Sequence, residues 1–333
     1  MRIAAIIVGL VLLFTPSTRS QILFESDYGS GTINRFAPGG APSPFTTGLA
    51  PTGLAFDNAG NLFAGDGGGG GWNEGRILRF RPDGSSTVFA SGLWAPSGLA
   101  FDSQGVLFAD DYNNNIYQYT PQGVRTVFAT GLSGPGGLAF DASGDLFVSE
   151  WNSGNIVKFT PGGLRSTFAS GFTRPSGLAF DSAGNLFVVE NGNPVFHDSG
   201  AVYRITPAGI RTMIASGMFG PTSLAFDSEG NFYVTDTWNG RILEFSPDGV
   251  ESTFASGLNL PTFLAFQPIP EPSAVTLLLV GSSTLFLLRR TPGGQKVCVR
   301  TSNVRPNFSL HWTGSSRFTL VPVARSLAAA PGQ

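Results

Sequence analysis

Six carboxylates recur at one register of this 333-residue chain: Asp27, Asp66, Asp111, Glu150, Glu190 and Asp236. Each closes a short apolar run, as in LFAGD, LFVSE and FYVTD, so each falls at the end of a strand-like stretch. A ring of carboxylates around one opening suits a hard divalent cation or a cationic group, with Ca or Zn as the candidate ions and no organic cofactor expected. The competing reading is structural. In the run from Asp236 to Ile242 the acid is placed to pair with Arg241 or to cap its own loop's N–H groups, and Asp66 stands in the same relation to Arg76. Aromatic residues gather beside the acids: Trp72, Trp151 and Trp238 follow such runs, Trp94 follows a neighbouring run, and Tyr112, Phe196 and Phe219 join them. Rings beside polar groups bind sugars or peptides by stacking and hydrogen bonding. Their structural alternative is to cover the junctions between repeats.

The elements that hold these residues come from an internal repeat. PTGLAFD begins at Pro51, and close copies begin at Pro96, Pro135, Pro175 and Pro221, with a clipped PTFLAF at Pro261, giving steps of 45, 39, 40, 46 and 40 residues. A period near 40–45 built of short apolar runs and glycine turns predicts a propeller with one blade per repeat. Four runs recur in each unit: GLAF (137–140), LFVSE (146–150), NIVKF (155–159) and RSTFA (165–169) in the unit from Pro135. The first and second are joined by D-x-x-G, the third and fourth by TPxG or SPxG, both tight-turn sequences. A partial unit over 23–49 lacks the GLAF run, while 263–266 supplies that run alone, so the two ends are expected to complete one blade. The expected fold is all-β: six four-stranded antiparallel blades, one of them composite. The loops after second and fourth strands then share one face, which receives the acids and the rings.

The flanks read differently. Residues 1–20 carry Arg2, an apolar run over 3–14 and small residues before the cut, the pattern of a signal peptide. The propeller is expected over 21–268. Its 11 Lys+Arg and 21 Asp+Glu over residues 21–270 give a charge of 11 − 21 = −10, a poor match for nucleic acid. The single cysteine, Cys298, lies outside it. At the other end Pro270-Glu271-Pro272 precedes sixteen uncharged, largely apolar residues over 273–288 and then Arg289-Arg290. A membrane helix is expected there, slightly short of the ~20 residues a full span needs, with its arginines on the cytoplasmic side and a plain C-terminal anchor as the simpler reading. Residues 291–333 hold five basic residues and no acid. They read as a disordered tail or a shifted reading frame.

The segment 269–290 resembles the PEP-CTERM sorting signal of envelope proteins in certain Gram-negative bacteria. That resemblance implies an exosortase-type sorting enzyme as partner, export across the inner membrane, and association with exopolysaccharide at the envelope. The unit ending in Asp236-Thr-Trp-Asn-Gly-Arg241-Ile resembles the NHL repeat, whose six-bladed propellers mostly serve as binding platforms. The shape is also that of two enzyme families. SMP-30/gluconolactonase-like lactonases hold a divalent metal with side chains placed just before the glycine of the first strand. Here those positions carry Thr52, Ser97, Gly136, Ser176, Thr222 and Thr262. Streptogramin-lyase-like propellers use a histidine, and the only one within 21–268 is His197. Gly67–Gly71 lacks the Lys-Ser/Thr of a phosphate loop. The sequence therefore leads to an exported binding or matrix protein with a glycan or peptide ligand on the loop face. The alternative is a metal-dependent, lactonase-like hydrolase.

Overall fold

The computed structural model describes residues 21–37, 41–68, 74–193, 195, 199–268, 308–312 and 318–322. Six four-stranded antiparallel sheets follow one another along the chain. In the third full repeat the strands are Pro135–Phe140, Leu146–Glu150, Asn155–Phe159 and Arg165–Ala169, paired in that order. The second strand is buried along its whole length in every sheet. That explains its unbroken apolar run: both of its faces are covered by neighbouring blades. The fourth strand alternates less strictly and turns its first three residues to solvent.

The first strand is longer than the GLAF motif in four sheets, where it starts at the proline. Pairing slips between that proline and the leucine, as between Pro135 and Leu138. At the slip Gly137 lies against the carbonyl of Ser176 in the next sheet, leaving no room for a Cβ. The motif's glycine therefore sets blade-to-blade contact. In the sixth sheet, Pro261–Phe266 pairs antiparallel with Leu23–Asp27, with Leu23 opposite Phe266. Thr32–Phe36 and Pro42–Thr47 complete that sheet.

The motif's phenylalanine closes the junctions. The aromatic residue of each second strand meets the first-strand phenylalanine of the following sheet: Phe24–Phe56, Phe63–Phe101, Phe108–Phe140, Phe147–Phe180, Phe187–Phe226 and Tyr233–Phe266. Centroids lie 4.9–5.3 Å apart in edge-on geometry. Each such pair adds about 0.5–1.5 kcal/mol beyond the area it buries. The D-x-x-G turn is built as its residues require: Asp57 Oδ1 accepts from the N–H groups of Ala59 and Asn61, at 2.9 and 2.8 Å. Gly60 takes φ 80° to complete the turn.

In the C-terminal unit, Phe308–Trp312 pairs antiparallel with Phe318–Pro322. The sequence expectation there is a disordered tail, yet Phe-Ser-Leu-His-Trp alternates apolar and polar residues as a strand does. The signal peptide, the Pro270-Glu271-Pro272 motif, the apolar stretch 273–288 and Arg289-Arg290 lie outside the described residues. Among the described residues no helix is long and apolar enough to cross a membrane.

Candidate functional site

The second-strand acids all sit where their loops meet the connections from fourth to first strands. Backbone bonds join the two sets of loops: Tyr28 N–H donates to Leu260 O, Tyr112 N–H to Trp94 O, Trp151 N–H to Gly134 O, Asn191 N–H to Arg174 O, and Trp238 N–H to Phe219 O. One face therefore carries both the acids and the rings.

The acids themselves are braces. Asp27 accepts from the N–H groups of Ser30 and Asn259. Asp66 accepts from Ala50 N–H and from Arg76 Nε, each at 2.9 Å. Glu150 takes Ser133 N–H, the Ser153 hydroxyl and Arg165. Glu190 takes Thr173 N–H and lies 3.5 Å from Arg211. Asp236 takes Phe219 N–H at 2.8 Å, Asn239 and Arg241 Nε at 2.6 Å. Asp111 departs from the set. Its shorter loop turns it onto Asn113 and Asn115 instead of the preceding connection. The pairings of Asp66 with Arg76 and of Asp236 with Arg241 are the ones the local sequence suggested. Sequence reasoning missed Arg165 and Arg211, which reach back from the fourth strand. The longer glutamates meet those fourth-strand arginines, while the two arginine-paired aspartates meet third-strand ones.

All six carboxylates are buried, so the ring they form is turned away from solvent. Among the described residues, no three His, Cys, Asp or Glu side chains are gathered where they could hold one metal ion. The first-strand positions that hold the metal in lactonase-type propellers have other work here. Thr52 Oγ1 donates to Pro96 O, Ser176 Oγ to Pro221 O at 3.5 Å, Thr222 Oγ1 to Thr262 O at 2.7 Å and Thr262 Oγ1 to Ser26 O at 2.9 Å. Ser97 Oγ binds Asp110. These hydroxyls sew strands together.

The rings are differently placed. Tyr112 is 72% exposed, Trp238 61% and Tyr28 51%. Trp94 lies 5.5 Å from Tyr112 and Phe219 6.0 Å from Trp238, centroid to centroid. Trp151, half-buried, has the Arg174 guanidinium 5.6 Å above its ring. Trp72, Phe196 and His197 lie outside the described residues. Tyr28 was not singled out from the sequence, although it holds the same register as Tyr112 and Trp151, one residue past the acid. A cleft of about 350 Å³ opens on this face beside Asp66 and Arg76, lined also by Gly48, Leu49, Ala50, Gly68 and Glu74.

Two further buried acids escaped the motif reading. Glu25 stands where other blades carry Ala64, Ala109, Val148, Val188 and Val234. Asn34 Nδ2 donates to its Oε2 at 3.0 Å, and its Oε1 has no partner. Burial, chiefly, pushes its carboxyl up to about 8, opposed by the Asn34 bond and helped by the charge of Asp27. Asp110, fully buried, accepts from the N–H groups of Ser97 and Gly98 at 2.8 Å each. Burial again leads, raising it to about 7 against those bonds.

Fold and site together define a six-bladed propeller whose inner face is sewn by hydroxyl–carbonyl bonds and whose loop face presents aromatic rings. The chain belongs to the SMP-30/gluconolactonase/LRE-like family, whose profile matches residues 12–191, and an NHL repeat is matched at residues 220–245. No curated protein matches the chain significantly. Among solved structures, a chain of a nidogen/laminin complex is 23% identical and covers 75% of this chain and 99% of its own, with a TM-score of 0.64. Virginiamycin B lyase from Staphylococcus aureus is 15% identical, covering 80% and 88%, TM-score 0.54. A streptogramin B lyase is 16% identical, covering 75% and 88%, TM-score 0.56. At these identities the likeness is one of fold.

Proposed function

We propose that the protein is a non-catalytic binding or matrix propeller whose loop face holds a glycan or peptide chain by stacking. The observation that carries this reading is the exposure of Tyr28, Tyr112 and Trp238 on a face whose six second-strand carboxylates are buried and hydrogen-bonded. A general base needs a lone pair free to receive a proton. The second-strand acids spend theirs on backbone N–H groups, arginines and amides. Large rings left in water, by contrast, offer flat apolar area that a pyranose or an extended peptide covers. The test is ligand binding by the full chain and by Tyr112→Ala and Trp238→Ala on glycan and peptide arrays. Loss of binding with an unchanged circular dichroism spectrum supports the reading, and unchanged binding in both variants removes it.

A second reading, a lactonase-like hydrolase, is favoured by membership of the family over residues 12–191. It requires a ligand set other than the hydroxyl positions above. Near-stoichiometric Ca or Zn in protein dialysed against metal-free buffer, with lactonase turnover, would establish it. We also propose export by the N-terminal signal and sorting at the envelope through Pro270-Glu271-Pro272, the following inner-membrane segment and an exosortase-type partner. Mature protein whose sequence begins at Met1, or whose fractionation is unaltered by Glu271→Ala, argues against this route.

A further inference from the structure

We infer that the ligand of the loop face is anionic, a carboxylate-bearing polysaccharide, anchored by the outward edges of Arg76 and Arg241. This rests on the loop-face binding reading, and the two forks act locally against a domain charge of −10 over residues 21–270, so binding is through these points and not through the general field. Both arginines occupy the same register, at the start of a third strand, opposite Asp66 and Asp236 respectively. Each is held through Nε alone, by a carboxylate that is itself 4% or 0% exposed. Among the described residues neither guanidinium has another hydrogen-bond or ion-pair partner, and the side chains are 42% and 34% exposed. A guanidinium fixed through Nε keeps its paired Nη groups available, and that planar fork fits the two oxygens of a carboxylate. The buried acid orients the fork before any ligand arrives, which lowers the entropy cost of binding.

The two forks flank the composite blade. Its own third strand begins with Thr32, and its loop offers Tyr28 as an exposed ring. Trp238 stands beside Arg241 on the fifth full blade, while the cleft of about 350 Å³ opens under Arg76 on the first. Fork, ring and fork thus follow one another across three adjacent blades. Arg174 over Trp151 repeats the pairing of cation and ring further round the face. A uronic-acid chain offers both halves of this pattern: carboxylates for the forks and sugar faces for the rings. An acidic peptide would supply the charges but no regular flat faces, so the alternation favours the polysaccharide.

Binding of an oligouronate and of its methyl-esterified form to the full-length protein, by calorimetry at low and moderate salt, tests this without any variant. Tighter binding of the free acid, about tenfold or more, with affinity falling as salt rises, supports the inference. Equal, salt-insensitive binding of the two forms overturns it while leaving the loop-face reading intact. Binding of neither, with a neutral glycan bound instead, overturns it in the same way. Binding of no glycan, with an acidic peptide bound, overturns the polysaccharide assignment. In Arg76→Lys with Arg241→Lys the charge stays and the fork is lost, so the free-acid preference is expected to shrink several-fold while neutral-glycan binding stays unchanged.

Discussion

Replacing Glu25 by Gln is expected to stabilise the propeller, by an amount that depends on pH in a defined way. The folded carboxyl ionises at about 8, against 4.5 for the exposed group. Because the folded value is raised, the folded state prefers the protonated acid. Below pH 4.5 both states hold the proton and Glu25 imposes no ionisation cost. As pH rises the unfolded chain ionises freely while the folded one resists, so stability falls by about 1.4 kcal/mol per pH unit until the folded group ionises as well. The span 8 − 4.5 = 3.5 sets a ceiling of about 5 kcal/mol above pH 8 and leaves about 3 kcal/mol at pH 7. The introduced amide keeps the shape of the side chain and the acceptor for Asn34 Nδ2 but does not ionise. Urea denaturation of wild type and Glu25→Gln between pH 4 and 9 measures the difference directly, since every other titrating group is common to both. Curves that meet near pH 4 and diverge toward pH 8 are expected. Parallel curves would refute the reasoning, for they would mean that Glu25 is solvated or counter-charged in the folded protein.

Asp110→Ser is expected to stabilise by an amount that grows from about pH 4 to pH 7 and levels off above it, because the folded acid is raised to about 7 and a hydroxyl at this register accepts from a first-strand N–H and donates across the junction, as Ser149 accepts from Gly137 N–H and donates to Ser176 O at 2.6 Å; urea midpoints at pH 4, 5.5 and 8 check it, with the gain smallest at pH 4 and largest at pH 8. Phe147→Ala removes the ring wedged 4.9 Å from Phe168 and 5.1 Å from Phe180, and a loss of about 3–5 kcal/mol is expected in the same assay. Arg241→Ala strips the cation from the fully buried Asp236, which keeps its bonds to Phe219 N–H and Asn239; a cost of about 1–3 kcal/mol is expected, and thermal melting reads it. Exhaustive dialysis against a chelator is expected to leave the melting temperature unchanged, and a fall restored by Ca or Zn would reinstate a metal centre.

The blades were legible because the repeat states them six times over. GLAF, D-x-x-G and the acid-terminated second strand each do local work, and a period of about 40 residues averages away the ambiguity of any single short run. The site was less legible for reasons that are themselves physical. Whether Asp66 or Glu150 faces solvent depends on where an arginine lies in three dimensions. Arg76 is ten residues from its partner in the chain, and Arg165 fifteen. The first spacing falls within one hairpin and can be read from sequence. The second crosses a loop, the whole third strand and a turn, and nothing local marks it. Glu25 and Asp110 were overlooked for the opposite reason. They sit inside apolar runs, LFESD and LFADD, where the strand pattern absorbs a single polar residue without comment.

The two buried acids also bear on where binding energy can come from. A chain that sets Glu25 at a register filled by Ala or Val in other blades, with Asn34 opposite it, gives up stability at the seam beside the composite blade. That seam lies next to Tyr28 and Asp27, on the same three-blade stretch as the two arginine forks. A loop face that gains contacts only when a polymer is bound is coupled by mass action to the stability of the blades beneath it. If an oligouronate occupies the stretch from Arg241 to Arg76, it should raise the melting temperature of wild type at pH 8, where Glu25 costs most. The increment for Glu25→Gln should be the same in free energy, since the ligand touches the arginines and Tyr28 but not the buried seam. A markedly larger increment in wild type would instead mean that the ligand changes the surroundings of Glu25, so that seam and forks respond as one unit.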